Sequence, residues 1–198
     1  NHDNFRMSRQ LDENGIRLVY AFIMAMPGVP YVYYGDELGM KYVEGLNSVE
    51  GGYHRTGSRT PMQWDNSPNA GFSSAFEEDL YIPLDKSDNR PTVETQLADK
   101  GSLLNEMKKL ISIRKNNKPL QSDGNFEPVF ITVAYPFVFK RTMNDESILV
   151  CINPSDDEAV CDFDGIIEDV IYDYNGAATC ENNRLTVPSW SASYLKLK

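Results

Sequence analysis

The stretch from Pro27 to Tyr34 constrains the fold more than any other part of this 198-residue chain. Pro27-Gly28 stops a helical pattern, and Val29 to Tyr34 follows as a short, unbroken apolar and aromatic run. A strand with one wet face alternates in polarity, so a continuous run predicts a strand buried on both faces, as in a parallel sheet. Pro30 is tolerable because the first strand residue need not donate to the ladder. Upstream, Ile16, Val19, Tyr20, Ile23 and Met24 recur at helical spacing, and residues 13–26 read as a helix. Leu18, Phe22, Ala25 and Met26 fill most of its remaining circumference, so it expects cover on more than one side. Helix, turn and buried strand make one step of an α/β repeat.

Two further regions follow. Residues 35–98 are rich in Gly, Pro, Asn and Asp, and such a long irregular segment is either functional or disordered. Tyr53, Trp64, Phe72, Phe76 and Tyr81 within it favour an ordered, functional excursion. A second helix is expected over 99–115, with Ser102 as N-cap, an apolar stripe including Leu103, Met107 and Leu110, and basic residues at its C-terminal end. From residue 120 the pattern changes to about seven short β-branched or aromatic runs between turn signals, which predicts an antiparallel sandwich. Those runs are 129–133, 137–141, 148–152, 159–163, 170–174, 184–187 and 193–197. Trp190 is expected to fill the core of that sandwich. The alternating aromatics Phe137, Phe139, Tyr172 and Tyr174 read as one buried face rather than an exposed sugar platform.

Composition excludes several function classes. Lys plus Arg total 19 against 29 for Asp plus Glu, and a net charge of -10 repels phosphate backbones. No nucleic-acid partner is expected. No apolar run reaches the ~18 residues of a membrane span. The three cysteines, Cys151, Cys161 and Cys180, form no CxxC pair and read as small buried hydrophobes. His54 has no second histidine at ligand spacing, and Asp65, Asn66 and Asn69 do not form an EF-hand pattern. Calcium is conceivable there without being indicated, and no cofactor is expected. The start at Asn1-His2-Asp3, without Met, reads as a cut chain and leaves localisation open.

Three motifs carry a resemblance. Asn1-His2-Asp3-Asn4-Phe5-Arg6 resembles the Asn-His-Asp motif after the seventh barrel strand of the alpha-amylase family. The segment Pro27 to Met40, Pro-Gly-Val-Pro-Tyr-Val-Tyr-Tyr-Gly-Asp-Glu-Leu-Gly-Met, resembles the eighth strand and the loop after it. Arg59-Thr60-Pro61-Met62-Gln63-Trp64-Asp65 resembles a segment of the alpha-glucosidase, oligo-1,6-glucosidase and trehalose-synthase-like members. The order and spacing of the three agree with that family.

The resemblance implies an α/β plus all-β chain: the C-terminal portion of a (β/α)8 TIM barrel over residues 1–119, then an antiparallel β-sandwich domain over 120–198. It implies part of a retaining glycoside hydrolase acting on alpha-linked glucosides. Such enzymes use two carboxylates about 5–5.5 Å apart, a nucleophile and an acid/base. In this family those come from the fourth and fifth strand ends, upstream of Asn1, so the isolated chain is expected to be inactive. The third carboxylate falls at Asp3, which would stabilise the oxocarbenium-like transition state. His2 would donate to a hydroxyl of the same sugar, and Arg59 and Arg55 would reach the substrate from the long loop. A structural reading of Arg59, tying the loop to Asp65 or Glu37, stays open. Asp36-Glu37 would orient neighbouring side chains, and Trp64 would anchor loop packing. The expected partners are an alpha-linked oligosaccharide and the upstream half of the barrel. Phe22, Met24 and Met26 would be left partly exposed without that half, which favours self-association. A transglycosidase or isomerase of the trehalose-synthase type uses the same carboxylates, and a non-catalytic carbohydrate-binding module is the alternative of a different class.

Overall fold

A computed structural model describes residues 1–198. It is built mostly from small antiparallel sheets, with few helices. The chain forms two compact units, one of residues 1–16 and 31–108, the other of residues 17–30 and 109–198.

The first unit is largely irregular and is held by side chains that satisfy loop backbone. Asp12 caps the helix Glu13–Ala25 (α1), its Oδ1 accepting from the Gly15 amide at 2.8 Å. Thr92 and Thr95 form a reciprocal capping box for a short helix, Val93–Ala98 (α2), inside the stretch expected to be irregular. The next helix, Leu103–Asn116 (α3), starts later than the sequence suggested. Ser102 is its N-cap, with Oγ accepting from Asn105 N at 3.2 Å. Residues 99–101 are a turn, because Asp99 Oδ1 takes the Gly101 amide at 2.9 Å. The segment around residues 58–63 is the buried spine of this unit, with Ser58, Thr60 and Gln63 fully inaccessible. Gln63 O and Trp64 O accept from Val93 N and Glu94 N at 3.0 and 2.9 Å, which seats that spine on the first turn of α2.

The expected strand at Val29–Tyr34 does not form. The segment has no strand hydrogen bonds, and Val29 and Tyr31 are 73% and 88% exposed. A doubly buried strand needs a ladder on each edge and layers on each face, and no segment of this chain supplies the ladders.

In the second unit eight strands form two sheets: Asn125–Phe130 (β1), Phe137–Met143 (β2), Glu146–Asn153 (β3), Ala159–Asp162 (β4), Ile167–Tyr174 (β5), Thr179–Glu181 (β6), Arg184–Val187 (β7) and Ser191–Leu197 (β8). The larger sheet has the order β1-β2-β3-β8-β5, the smaller β4-β7-β6, and every pairing is antiparallel. Val138, Leu149, Cys151 and Leu195 of the larger sheet share one core with Cys161, Leu185 and Val187 of the smaller. The opposite face of the larger sheet is also covered: Phe137 and Phe139 meet Phe22 of α1 edge-on, and the Tyr194 hydroxyl donates to Ala21 O. Burial on both faces explains why β3 carries the continuous apolar run Ile148–Ile152 and why the first five residues of β8 are all buried.

Several expectations need correction in this unit. Eight strands replace seven; the extra one, β6, is only three residues long and carries no periodicity. The first strand begins at Asn125, and Ile131 and Val133 lie in an exposed loop. Trp190 is not in the core: it has φ 45° in a turn, and its Nε1 donates to Asp156 Oδ1 at 2.7 Å. Met24 is buried rather than partly exposed, because its helix face lies on the second unit's own core. No helix is long and apolar enough to cross a membrane.

Candidate functional site

The four residues singled out in the sequence come together in the first unit. Asp3 sits in the N-terminal turn, where its amide donates to Asn1 Oδ1 at 2.9 Å. Its Oδ1 accepts from Arg55 Nη1 at 2.7 Å and from Arg59 Nη2 at 3.4 Å. His2 Nε2 lies 3.5 Å from Asp3 Oδ2, and the backbone carbonyl of His2 accepts from Arg59 Nε at 3.1 Å. Arg59 therefore grips the His2-Asp3 turn and does not tie the loop to Asp65 or Glu37. The Asp3 side chain remains 52% exposed, so the carboxylate is oriented by guanidinium groups yet open on one side.

The two arginines are placed by a tight 3₁₀ segment, Tyr53–Ser58, followed by Arg59. Arg55 is locked by donating to Gly52 O and Gly51 O at 3.3 and 3.1 Å. Gly57, between the arginines, is held against Val43, whose amide donates to Gly57 O at 3.1 Å. A Cβ there would lie 2.0 Å from Val43 O, so only glycine fits. Ser58 Oγ donates to Asn4 O at 2.8 Å and joins the same turn to the Asp3 segment.

A buried pair underpins the cluster. Arg6 is 1% exposed, and its Nη1 donates to Tyr34 O at 2.8 Å and to Asp36 Oδ1 at 3.0 Å. Its guanidinium also faces the rings of Tyr33 and Tyr34, each 5.1 Å away. Arg6 Nε and Nη2 have no hydrogen-bond partner and face this aromatic surface instead of water. Burial raises the Asp36 carboxyl above its ordinary value, and Arg6 offsets part of that rise. Burial raises Glu37 as well, with backbone amides offsetting it and Asp36 adding to it. Asp36 thus orients Arg6, in the supporting role the sequence suggested. Gly35 at φ 83° makes this approach possible, since a Cβ there would lie 3.1 Å from Arg6 Nη1 and closer still to Met40 Sδ. The sequence placed Arg6 in a motif without giving it a role; its position three residues beyond the candidate carboxylate Asp3 was the available signal.

Next to Arg59 the unit carries an open pocket of about 570 Å³. Pro61, Met62, Trp64, Phe72 and Tyr81 supply carbon walls, and Glu37 and Arg59 supply the ionisable groups. Trp64 lines this space half-exposed rather than serving only as a packing anchor. No group of three His, Cys, Asp or Glu side chains converges where it could hold a metal ion. Asp65 spends its Oδ1 on the Ser67 amide, at 2.8 Å, and on the Ser67 hydroxyl.

A model of the alpha-amylase catalytic domain matches residues 1–123. The chain belongs to the alpha-amylase family. Its relatives place it among the alpha-glucosidase-like members. It is 27% identical to the oligo-1,6-glucosidase of Parageobacillus thermoglucosidasius, an alignment covering all of this chain and 42% of that protein. It is 32% identical to the trehalose synthase/amylase of Mycobacterium tuberculosis (strain ATCC 25618 / H37Rv), over 72% of this chain and 24% of that protein. The solved trehalulose synthase of Pseudomonas mesoacidophila MX-45 superposes with a TM-score of 0.84 over all of this chain and 42% of that one, at 20% identity. That last likeness concerns the fold alone. The chain spans less than half the length of these family members.

Proposed function

We propose that this chain is the C-terminal part of a retaining glycoside hydrolase that cleaves alpha-glucosidic bonds of oligosaccharides. Residues 1–119 would close the (β/α)8 barrel, and residues 120–198 would form a β-sandwich that supports it. The observation that carries the reading is the Asp3 carboxylate, oriented by Arg55 and Arg59 and open to solvent on one side. A carboxylate fixed in advance beside a glycosidic carbon stabilises the positive charge that develops as the bond breaks. His2, at 3.5 Å from Asp3 and 65% exposed, has its imidazole free to donate to a hydroxyl of the same sugar. Arg55 and Arg59 keep Asp3 from turning away and bind the sugar alongside it.

The nucleophile and acid/base would belong to the part of the enzyme that this chain does not span, so the isolated chain does not turn over substrate. Its unpaired segment at Val29–Tyr34 would be the edge on which the upstream strands assemble, and without them the chain self-associates through such apolar surface. Relatives include a trehalose synthase/amylase, which supports transglycosylation on the same carboxylates as the second reading. Hydrolysis of maltose and isomaltose by the 198-residue chain, with Asp3→Ala as control, tests the proposal. Turnover no greater than the control, restored by adding the upstream part, is expected. Turnover by the chain alone that Asp3→Ala abolishes would overturn the assignment of the missing carboxylates.

A further inference from the structure

The Asp3 cluster joins two segments of the first unit: the N-terminal stretch that carries Asp3, and the turn that carries Arg55 and Arg59. Its ion pairs are exposed, and pairs of that kind hold little by themselves. Besides the arginine contacts, Ser58 Oγ joins the two segments by donating to Asn4 O at 2.8 Å. A third segment, residues 40–44, supplies the rest of the hold and carries none of the cluster's own groups.

This strap touches both partners. On the N-terminal side, Ser8 Oγ donates to Met40 O at 2.7 Å, and Glu44 accepts from Arg9 Nε at 2.8 Å and Nη2 at 3.4 Å. On the other side, the Val43 amide donates to Gly57 O at 3.1 Å. Tyr42 does both at once. Its ring meets Phe5, two residues after Asp3, edge-on, with centroids 5.3 Å apart and planes at 86°. The Arg9 guanidinium lies against both rings, 3.9 Å from the centre of Phe5 and 4.6 Å from that of Tyr42. The Tyr42 hydroxyl donates to His54 O, directly before Arg55. The edge of the same ring closes on Gly57, where a Cβ would stand 2.8 Å from Tyr42 Cζ.

Tyrosine suits this position because its rigid ring joins an apolar body to a polar tip. The body packs on the Asp3 segment and the tip holds the arginine turn, so one inflexible side chain spans the two. Phenylalanine would keep the packing on Phe5 and Arg9 and release His54 O.

We propose that Tyr42 is a positioning residue of the Asp3 site, setting the separation between the Asp3 segment and the Arg55–Arg59 turn. The consequence for sugar binding rests on the reading of Asp3 given above; the positioning rests on the contacts of Tyr42.

Arg59 is the reporter, because its Nε–H donates to His2 O at 3.1 Å across the two segments. In 1H–15N NMR spectra of the 198-residue chain, this Nε–H is identified by its loss in Arg59→Lys. Tyr42→Phe should speed its exchange with water about tenfold, the scale of one lost hydrogen bond. It should weaken binding of methyl alpha-D-glucopyranoside by about the same factor, with the melting temperature moved by no more than ~4 °C. Phe5→Leu, at an exposed position, loosens the strap from the other side and should speed the same exchange. Thr95→Ala is the control for general loosening: it breaks the capping box of α2 in the same unit and should leave the Arg59 signal unchanged. An Arg59 signal unmoved by Tyr42→Phe, or moved as much by Thr95→Ala, overturns the positioning role. So does faster exchange with unchanged sugar affinity, when Asp3→Ala abolishes sugar binding. If the chain binds no sugar, or binds it equally well after Asp3→Ala, faster exchange in Tyr42→Phe alone keeps the positioning role and sinks the sugar reading of Asp3.

Discussion

Arg55 donates from Nη1 to Asp3 Oδ1 across 2.7 Å, joining two residues 52 positions apart in the sequence. Both partners are substantially exposed, at 36% and 52% of their side chains. An ion pair in that setting contributes only about 0–1 kcal/mol to stability. Its value is orientation. Arg55→Ala should therefore leave the urea midpoint nearly unchanged. With Asp3 in the role proposed above, it should lower kcat/KM of the assembled enzyme about 100-fold, the scale expected when a positioned group is displaced by ~1 Å. A large loss of stability with unchanged kcat/KM would contradict this division.

Gly57 offers a backbone route to the same cluster. A Cβ at this position would lie 2.0 Å from Val43 O and 2.8 Å from the Tyr42 ring. A carbonyl fixed in a loop cannot swing away as a flexible side chain can, so the turn carrying Arg55 and Arg59 must move. Gly57→Ala should cost about 1–3 kcal/mol, as overpacking does. Unlike Arg55→Ala, it should reduce both the melting temperature and sugar binding, measured by thermal unfolding and by titration with methyl alpha-D-glucopyranoside.

Arg6 and Asp36 behave differently because they are buried. Removing Arg6 leaves Asp36 as an uncompensated buried acid, at a cost of about 3–5 kcal/mol. Arg6→Met should therefore be strongly destabilising, whereas Arg6→Met combined with Asp36→Asn should recover much of the loss. A double-mutant cycle by urea unfolding measures this. Additive losses would mean the two side chains act independently, contrary to their 3.0 Å contact.

These distances separate what the sequence could convey from what it could not. Helical spacing in residues 13–26 located α1 to within a residue, and β7 was read at its observed bounds, because local periodicity specifies local structure. Val29–Tyr34 misled because an apolar run becomes a strand only where a ladder partner is available, and no strand of this chain pairs with it. Trp190 misled because size and hydrophobicity argued for burial, while its indole N–H is satisfied at the surface by Asp156. His2, Asp3, Arg55 and Arg59 were all legible as candidates, but the partner of Arg59 was not. Asp65 and Glu37 lie nearer in sequence than Asp3, and only the fold of the turn around Gly57 decides among them.

Glu37 links the site to pH. Burial raises its pKa, so the folded chain binds its proton more tightly than the unfolded chain does. The stability contribution of this group is therefore greatest at acid pH and is lost as pH rises through the raised value. Asp36 nearby pushes in the same direction, and Arg6 pushes against it. Glu37→Gln removes the charge penalty, so it should raise the melting temperature at pH 8 and have much less effect at pH 4. An equal shift at both pH values would show that packing, not charge, sets the difference.

In the second unit two arginines finish a helix that has no glycine cap of its own. Arg114 donates from Nη1 to Met24 O and Met26 O at 2.7 and 2.8 Å, and from Nη2 to Gly28 O at 2.6 Å. Arg141, fully buried on β2, donates to Ala25 O and also to Asn125 O, Gln121 O and Gly124 O at 3.0, 2.8 and 2.9 Å. The last carbonyls of a helix lack intrahelical donors and carry partial negative charge, so guanidinium groups satisfy both needs. Burial, followed by the neighbouring Arg114, lowers the Arg141 pKa to about 10, which leaves it charged at neutral pH. Arg141→Met would keep much of the volume and strip four carbonyls of their donor, those of Ala25 and Gly124 buried and those of Gln121 and Asn125 part-buried. Each unsatisfied group costs on the order of 1–3 kcal/mol, so a loss of at least ~3 kcal/mol is expected. Arg141→Lys should rescue little, because one ammonium cannot span the positions a planar fork reaches. Hydrogen exchange provides the local readout: the amides of α1 residues 22–25 should lose protection in both variants before the β3 and β8 amides do. Uniform loss across the sheet would place the role of Arg141 in the strands, not at the end of α1.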